Sequence, residues 1–316
     1  MKRAAMLGIM LGLTAFVFAQ QPSTGSKPPA QSGAAQSGAG QQGSQPGAAQ
    51  GGTAQPGAAA PQGKRPPQAK TQPEFDAYKA AAANANDAAA MDKAATDFAA
   101  KFPDSELRVL LFKQAMRAYQ NANNGDKMME MGRNVLKVDP DDPEALVGVS
   151  EVLAERTRDT DLDKAQRLEE AQKMAQHAIE TVDTDVMAPA GTPPEKVEQY
   201  KGFLRSSAYS IIGTLQFNQD KYPEAETSFR KSIEAFPAQP DPVAVLRLAV
   251  SLDKQGKYPE ALKYAEQAVQ LTQESTTVGS AARNERSRLQ QLTGGGNAAP
   301  TAKPPAGAGN GEAPKQ

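Results

Sequence analysis

The pentapeptide Lys221-Tyr222-Pro223-Glu224-Ala225 returns unchanged as Lys257-Tyr258-Pro259-Glu260-Ala261, 36 residues further on. Each copy sits between two stretches with apolar residues at i, i+3, i+4 and i+7, the spacing of one helix face. Ahead lie Tyr209, Ile212, Gly213 and Leu215 in one copy, and Val245, Leu248, Ala249 and Leu252 in the other. Behind lie Phe229, Ser232 and Ile233, or Ala265, Ala268 and Leu271. Proline at the second position of each Tyr-Pro-Glu falls in a first helical turn, where its missing N–H leaves no bond unmade. A helix–turn–helix unit is therefore written twice.

These residues resemble the tetratricopeptide repeat family, whose unit is a pair of antiparallel helices of about 34 residues. Residues 206–239 carry the pattern in Tyr209, Gly213, Tyr222, Ala225, Phe229 and Pro237, with Gln216 in place of the mid-helix Tyr. Residues 242–275 carry it in Gly256, Tyr258, Ala261 and Ala268, with Ala265 replacing the aromatic and Gln273 the proline. Ala225 and Ala261 are expected where two helices cross closely. Upstream, 109–142 departs at Met128 and Gly132, and 75–108 ends its second helix early at Pro103. Residues 143–184 are enlarged near Thr157–Leu168, a loop spans Met187–Pro194, and Pro194 starts a long helix. Val278–Leu292 reads as a capping helix. The expected fold is all-α: a right-handed helical-repeat solenoid of about five antiparallel pairs plus a cap (276–292), within 73–292 and flanked by disordered tails.

The flanks differ sharply in composition. Met1–Ala19 has a basic start (Lys2, Arg3), an apolar run and Val17-Phe18-Ala19, the form of a secretory signal cleaved before Gln20. Uncleaved, it would be an anchor. Residues 20–72 are nearly all Gln, Gly, Ala, Pro, Ser and Thr, and read as a disordered linker; 293–316 read as a disordered tail. Lys64-Arg65-Pro66-Pro67 would suit an anionic surface, but charge this thin favours a plain spacer. The first 72 residues hold six bases and no acid, so the repeat region carries about −8 of a total of −1. That acidic balance does not suit nucleic acid.

The resemblance implies a concave face lined by the first helix of each pair. By position it holds Lys113, Arg117, Gln120 and Asn121; Val147, Glu151 and Glu155; Ser210, Thr214, Phe217 and Asn218; and Leu246, Val250 and Asp253. Phe217 is expected either to anchor a partner or to pack on its neighbours. No cysteine is present, which excludes thiolate chemistry. His177, the one histidine, has no Gly-x-Ser-x-Gly to serve. Asp139, Asp141 and Asp142 mark a turn, and Asp159-Thr-Asp-Leu-Asp163 lacks the glycine and distal Glu of a calcium loop. The reading is a periplasmic or secreted scaffold of the bacterial cell envelope that binds other proteins, with no enzymatic activity, cofactor or metal. Its alternative is a structural envelope component tethered by an uncleaved N-terminus, touching the membrane only there.

Overall fold

The computed structural model describes residues 64–189 and 191–294. The expected signal segment, most of the expected polar linker and most of the expected C-terminal tail lie outside them. Among the described residues there are eleven α-helices and no strand: α1 (Gln72–Ala82), α2 (Ala88–Lys101), α3 (Arg108–Asn121), α4 (Gly125–Val138), α5 (Pro143–Arg156), α6 (Lys164–Asp185), α7 (Pro194–Phe217), α8 (Tyr222–Ala235), α9 (Pro242–Lys254), α10 (Tyr258–Gln270) and α11 (Thr277–Gly294). None is long and apolar enough to cross a membrane. The chain forms two compact units that divide within α7, between Leu204 and Arg205.

Helix starts follow from local chemistry. Thr71, Asp87, Asn124, Asp142 and Asp241 each accept a backbone N–H of the first turn, satisfying a donor the helix cannot. Proline fills the first turn of α1, α5, α8, α9 and α10. In three of the five pairs the turn between helices is just as regular. Asn123, Asp220 and Gly256 occupy the same repeat position, and all three have positive φ (56°, 59° and 74°). The following N–H reaches back five residues in each case: Asn124 to the Tyr119 carbonyl, Lys221 to Gln216 and Lys257 to Leu252, at 2.9–3.0 Å. This is the Schellman closure, which satisfies terminal carbonyls while reversing the chain.

In the N-terminal unit α1 packs on α2, α3 on α4 and α5 on α6, and each pair adjoins the next through α2–α3 and α4–α5. Its core includes Tyr78, Phe98, Leu111, Met116, Met131 and Val135. Tyr78 meets Phe98 edge-on at 6.4 Å. The residues that break the repeat pattern here compensate one another. Met128, at the tight slot, is buried, and a Cβ on Gly148 of α5 would lie 2.9 Å from its Cε. Gly132, at the aromatic slot, gives its space to Val149: an added Cβ would come within 2.7 Å of Val149 Cγ2. Large and small have changed places across the α4–α5 contact. The third pair absorbs its extra residues in an irregular segment, 157–163, and in the 22-residue α6. Leu162 at the tip of that segment is fully exposed.

In the C-terminal unit Ala225, Ala261, Phe229, Leu248 and Leu252 are wholly enclosed, and Leu289 of α11 completes the cluster. Ala282 of α11 seals Val245 and Ala268. Gln216, the departure from the pattern, accepts a hydrogen bond from the Ser228 hydroxyl at 2.7 Å and so ties α7 to α8. Ser206 and Ser232 join the same two helices deeper in.

One expectation is corrected. Composition reads 20–72 as linker, yet residues 64–71 lie against the N-terminal unit, with Pro67 and Ala69 buried, and α1 starts at Gln72. Composition alone hides this, because the partners that hold the segment lie as far along the chain as Thr184 and Asp185, which meet Lys64.

A Cβ on Gly213 would meet the Phe229 ring at 2.7 Å. Gly213→Ala should cost about 1–3 kcal/mol by overpacking, and clearly less in a Phe229→Leu background. Urea unfolding of the four chains measures the difference; an equal penalty in both backgrounds contradicts the contact.

Candidate functional site

The residues assigned to the inner face lie on α3 and α5 in the N-terminal unit, and on α7 and α9 in the C-terminal one. Side-chain ties place these first helices next to each other. Lys113 of α3 donates to Asp142 at 2.7 Å and pairs with Glu144 at 3.0 Å. Arg117, one turn on, grips both Glu144 oxygens at 2.5 and 2.6 Å. The Tyr200 hydroxyl of α7 shares that carboxylate. Asp142 also caps α5 by accepting from Ala145 N at 2.9 Å. One buried aspartate thus starts a helix and ties it to the one before.

Burial would raise the Glu144 carboxyl, but Arg117 and Lys113 outweigh it and hold it well below the usual carboxylate range. Burial likewise opposes the charge on Lys113, and Asp142 and Glu144 overcome it, so the lysine is held above its ordinary value. Tyr200 is pushed well up, first by burial and then by the Glu144 charge. The bidentate fork of Arg117 is the geometry in which such a pair is strongest.

The C-terminal unit has a comparable arrangement, with hydroxyls on α7 in place of the Lys113 and Arg117 cations. Ser210 of α7 donates to Asp241, the α9 cap, at 3.2 Å. Thr214 donates to the Ser210 carbonyl at 2.8 Å and receives Arg247 of α9. Asp253 is gripped by Arg288 of α11.

Several sequence-predicted site residues are therefore occupied inside the protein. Lys113 (7% exposed), Val147 (6%) and Thr214 (8%) are buried and withdraw from the accessible face. Positional transfer missed this because it carries no knowledge of what the next helix brings. Asp253 withdraws too, since the cap helix covers it. Phe217 resolves to packing: it lies edge-on to Tyr222 at 5.6 Å and against the Ala225–Leu252 core. What stays accessible is Arg117, Gln120, Asn121, Glu151 and Glu155 on one unit, and Ser210, Asn218, Leu246 and Val250 on the other.

Sequence reasoning missed the roles of the acidic turn. Asp139, Asp141 and Asp142 each take a different partner: Lys64, His177 and Lys113. His177 binds Asp141 at 2.7 Å and approaches Glu180 at 3.5 Å. No described group of three or more His, Asp or Glu side chains has a metal-binding arrangement. An open hollow of about 460 Å³ at the enlarged third pair is lined by Asp126, Glu155, Arg156, Arg158, Asp161 and Arg167, three acids against three bases.

Residues 246–275, covering most of α9 and α10, match the family model of the tetratricopeptide repeat. No curated protein matches the chain. Solved structures similar to it include the MamA protein (16% identity, 64% of this chain and 91% of that one, TM-score 0.43). Another is PilW, a widely conserved type IV pilus biogenesis factor (19%, 71% and 96%, TM-score 0.41). A third is a thermophilic TPR protein of Thermus thermophilus (15%, 70% and 98%, TM-score 0.38).

Glu144→Gln leaves Lys113 and Arg117 short of a counter-charge and should cost about 3–5 kcal/mol at pH 7. Because the folded carboxyl is held below its unfolded value, its contribution is present above the unfolded pKa of about 4.3 and is lost as pH falls towards the folded one. Wild type should thus lose stability between about pH 5 and 2 more steeply than the variant. Urea titrations across that range decide it; parallel slopes contradict the assignment.

Proposed function

We propose that this protein is an exported scaffold that binds other proteins through the first helices of its helix pairs. The observation that carries the reading is the ladder of ties between consecutive first helices: Lys113 and Arg117 to Glu144 in one unit, Ser210 and Thr214 to α9 in the other. Within each unit such ties fix neighbouring first helices before any partner arrives, and a preorganised face spends less of its binding energy on ordering. On α9, Leu246 and Val250 stand one turn apart and half-exposed, with Asn218 of α7 exposed. Apolar contact beside polar hydrogen-bonders is the anatomy of a protein-binding patch. The match at 246–275 supports the same reading.

Export to the periplasm or beyond rests on Met1–Ala19. Mass spectrometry of the protein from its native cell should find Gln20 as the first residue; a retained Met1 overturns cleavage and supports the tethered alternative. For the binding face, pull-down with native chain and with Leu246→Asp/Val250→Asp should differ by the loss of particular partners while the helical circular dichroism stays unchanged. Identical partner sets contradict it.

A further inference from the structure

The eight residues before α1, Lys64-Arg65-Pro66-Pro67-Gln68-Ala69-Lys70-Thr71, contain no helix or strand, yet they are pinned along most of their length. Lys64 donates its backbone N–H to the Thr184 carbonyl at 2.9 Å. Its ammonium group sits between Asp139 (2.5 Å) and Asp185 (3.1 Å). Arg65 donates to both Glu106 oxygens at 2.8 and 3.0 Å, and Gln68 N donates to the same carboxylate at 3.1 Å. Lys70 donates its ammonium to the Asp104 carbonyl at 2.7 Å and its N–H to Glu74 at 2.7 Å. Pro67 is buried, and Ala69 joins the main core.

These contacts fall at equivalent places. Asp104 and Glu106 follow the end of α2, Asp139 caps the end of α4, and Asp185 is the last residue of α6. The segment crosses the C-terminal ends of three successive second helices. Those ends expose unpaired carbonyls and the negative pole of the helix dipole, so a row of them attracts cations. Lys64 is accordingly held above its ordinary value, Asp139 and Asp185 outweighing its partial burial. Charge agrees on the larger scale: three of the six bases in the acid-free first 72 residues lie in this segment, and they meet the acidic repeat region.

We propose that the edge formed by Glu106, Asp139 and Asp185 is a second recognition site, specific for an extended basic, proline-containing peptide, and that the chain's own Lys64–Thr71 segment is its resident occupant. The site lies at the ends of α4 and α6 and in the α2–α3 connection, apart from the first-helix face, and stands or falls independently of it. The Arg65–Glu106 pair is the exposed part of the contact, at 59% and 43%, while Asp139 is nearly covered. Exposed pairs of this kind are individually weak and are screened by salt. The segment is thus held by a screenable ion pair at Arg65 and by buried contacts at Pro67 and Ala69, and vacating it opens the site to the same chemistry from outside.

The test uses a labelled peptide of residues 64–71 and full-length chains. Lys64→Ala/Arg65→Ala weakens the resident segment; adding Glu106→Lys/Asp185→Lys reverses the site. The peptide should bind the first variant at least about tenfold more tightly than wild type, because the resident no longer competes. It should lose at least about tenfold on the reversed site and weaken between about 50 and 500 mM salt. Failure to bind the first variant, or equal binding to the reversed site, overturns the proposal. Wild-type hydrogen exchange guards against a folding defect in the variants. The Lys64 amide should be protected at low salt and lose protection at high salt; exchange at unstructured rates in both overturns the docked state.

Discussion

The architecture depends on one backbone turn. Two residues before α4, α8 and α10 the chain passes through the left-handed region, at Asn123, Asp220 and Gly256. A side chain there ordinarily costs about 1–2 kcal/mol, least for Asn and Asp. The closure it permits, an N–H reaching back five residues, ends the first helix and sends the second back along it in a single step. In these three pairs the packing follows from that reversal. The helices of a pair meet at a fixed depth, so Gly213 must make room for Phe229. The next first helix must then start beside the previous one, where Asp142 and Asp241 cap it and bind its neighbour.

Much of this was legible in the sequence, and the limits are physical. The repeated Lys-Tyr-Pro-Glu-Ala fixed helix starts, and period-3.6 patterning fixed the buried faces, because both are local. Of the three left-handed positions only Gly256 is a residue type that favours that conformation outright; Asn123 and Asp220 also serve in ordinary turns. The exchange of bulk between Met128 and Gly148, and between Gly132 and Val149, read as mere departures from the pattern. Each makes sense only when the partner on the adjoining helix is known. The candidate site suffered in the same way. Lys113 looked like a groove residue until Asp142 and Glu144, about thirty positions on, enclosed it.

Charge gives the molecule a division of labour. Buried carboxylates at 142 and 144 work inward, locking α3 to α5 and, through Tyr200, to the start of α7. Carboxylates at 106, 139 and 185 work outward, along the ends of the second helices, and hold the basic segment. The acidic excess of the repeat region thus reflects two separate tasks, structural cohesion and capture of a cationic chain.

The central claim is that pairs far apart in the sequence are the same structural unit, closed by the same turn. Amide hydrogen exchange at Asn124, Lys221 and Lys257 tests it most directly, since each N–H is committed to the carbonyl five residues back. All three should exchange far more slowly than unstructured amides. An unprotected Asn124 beside protected Lys221 and Lys257 would contradict it, and would confine the repeat to the C-terminal unit.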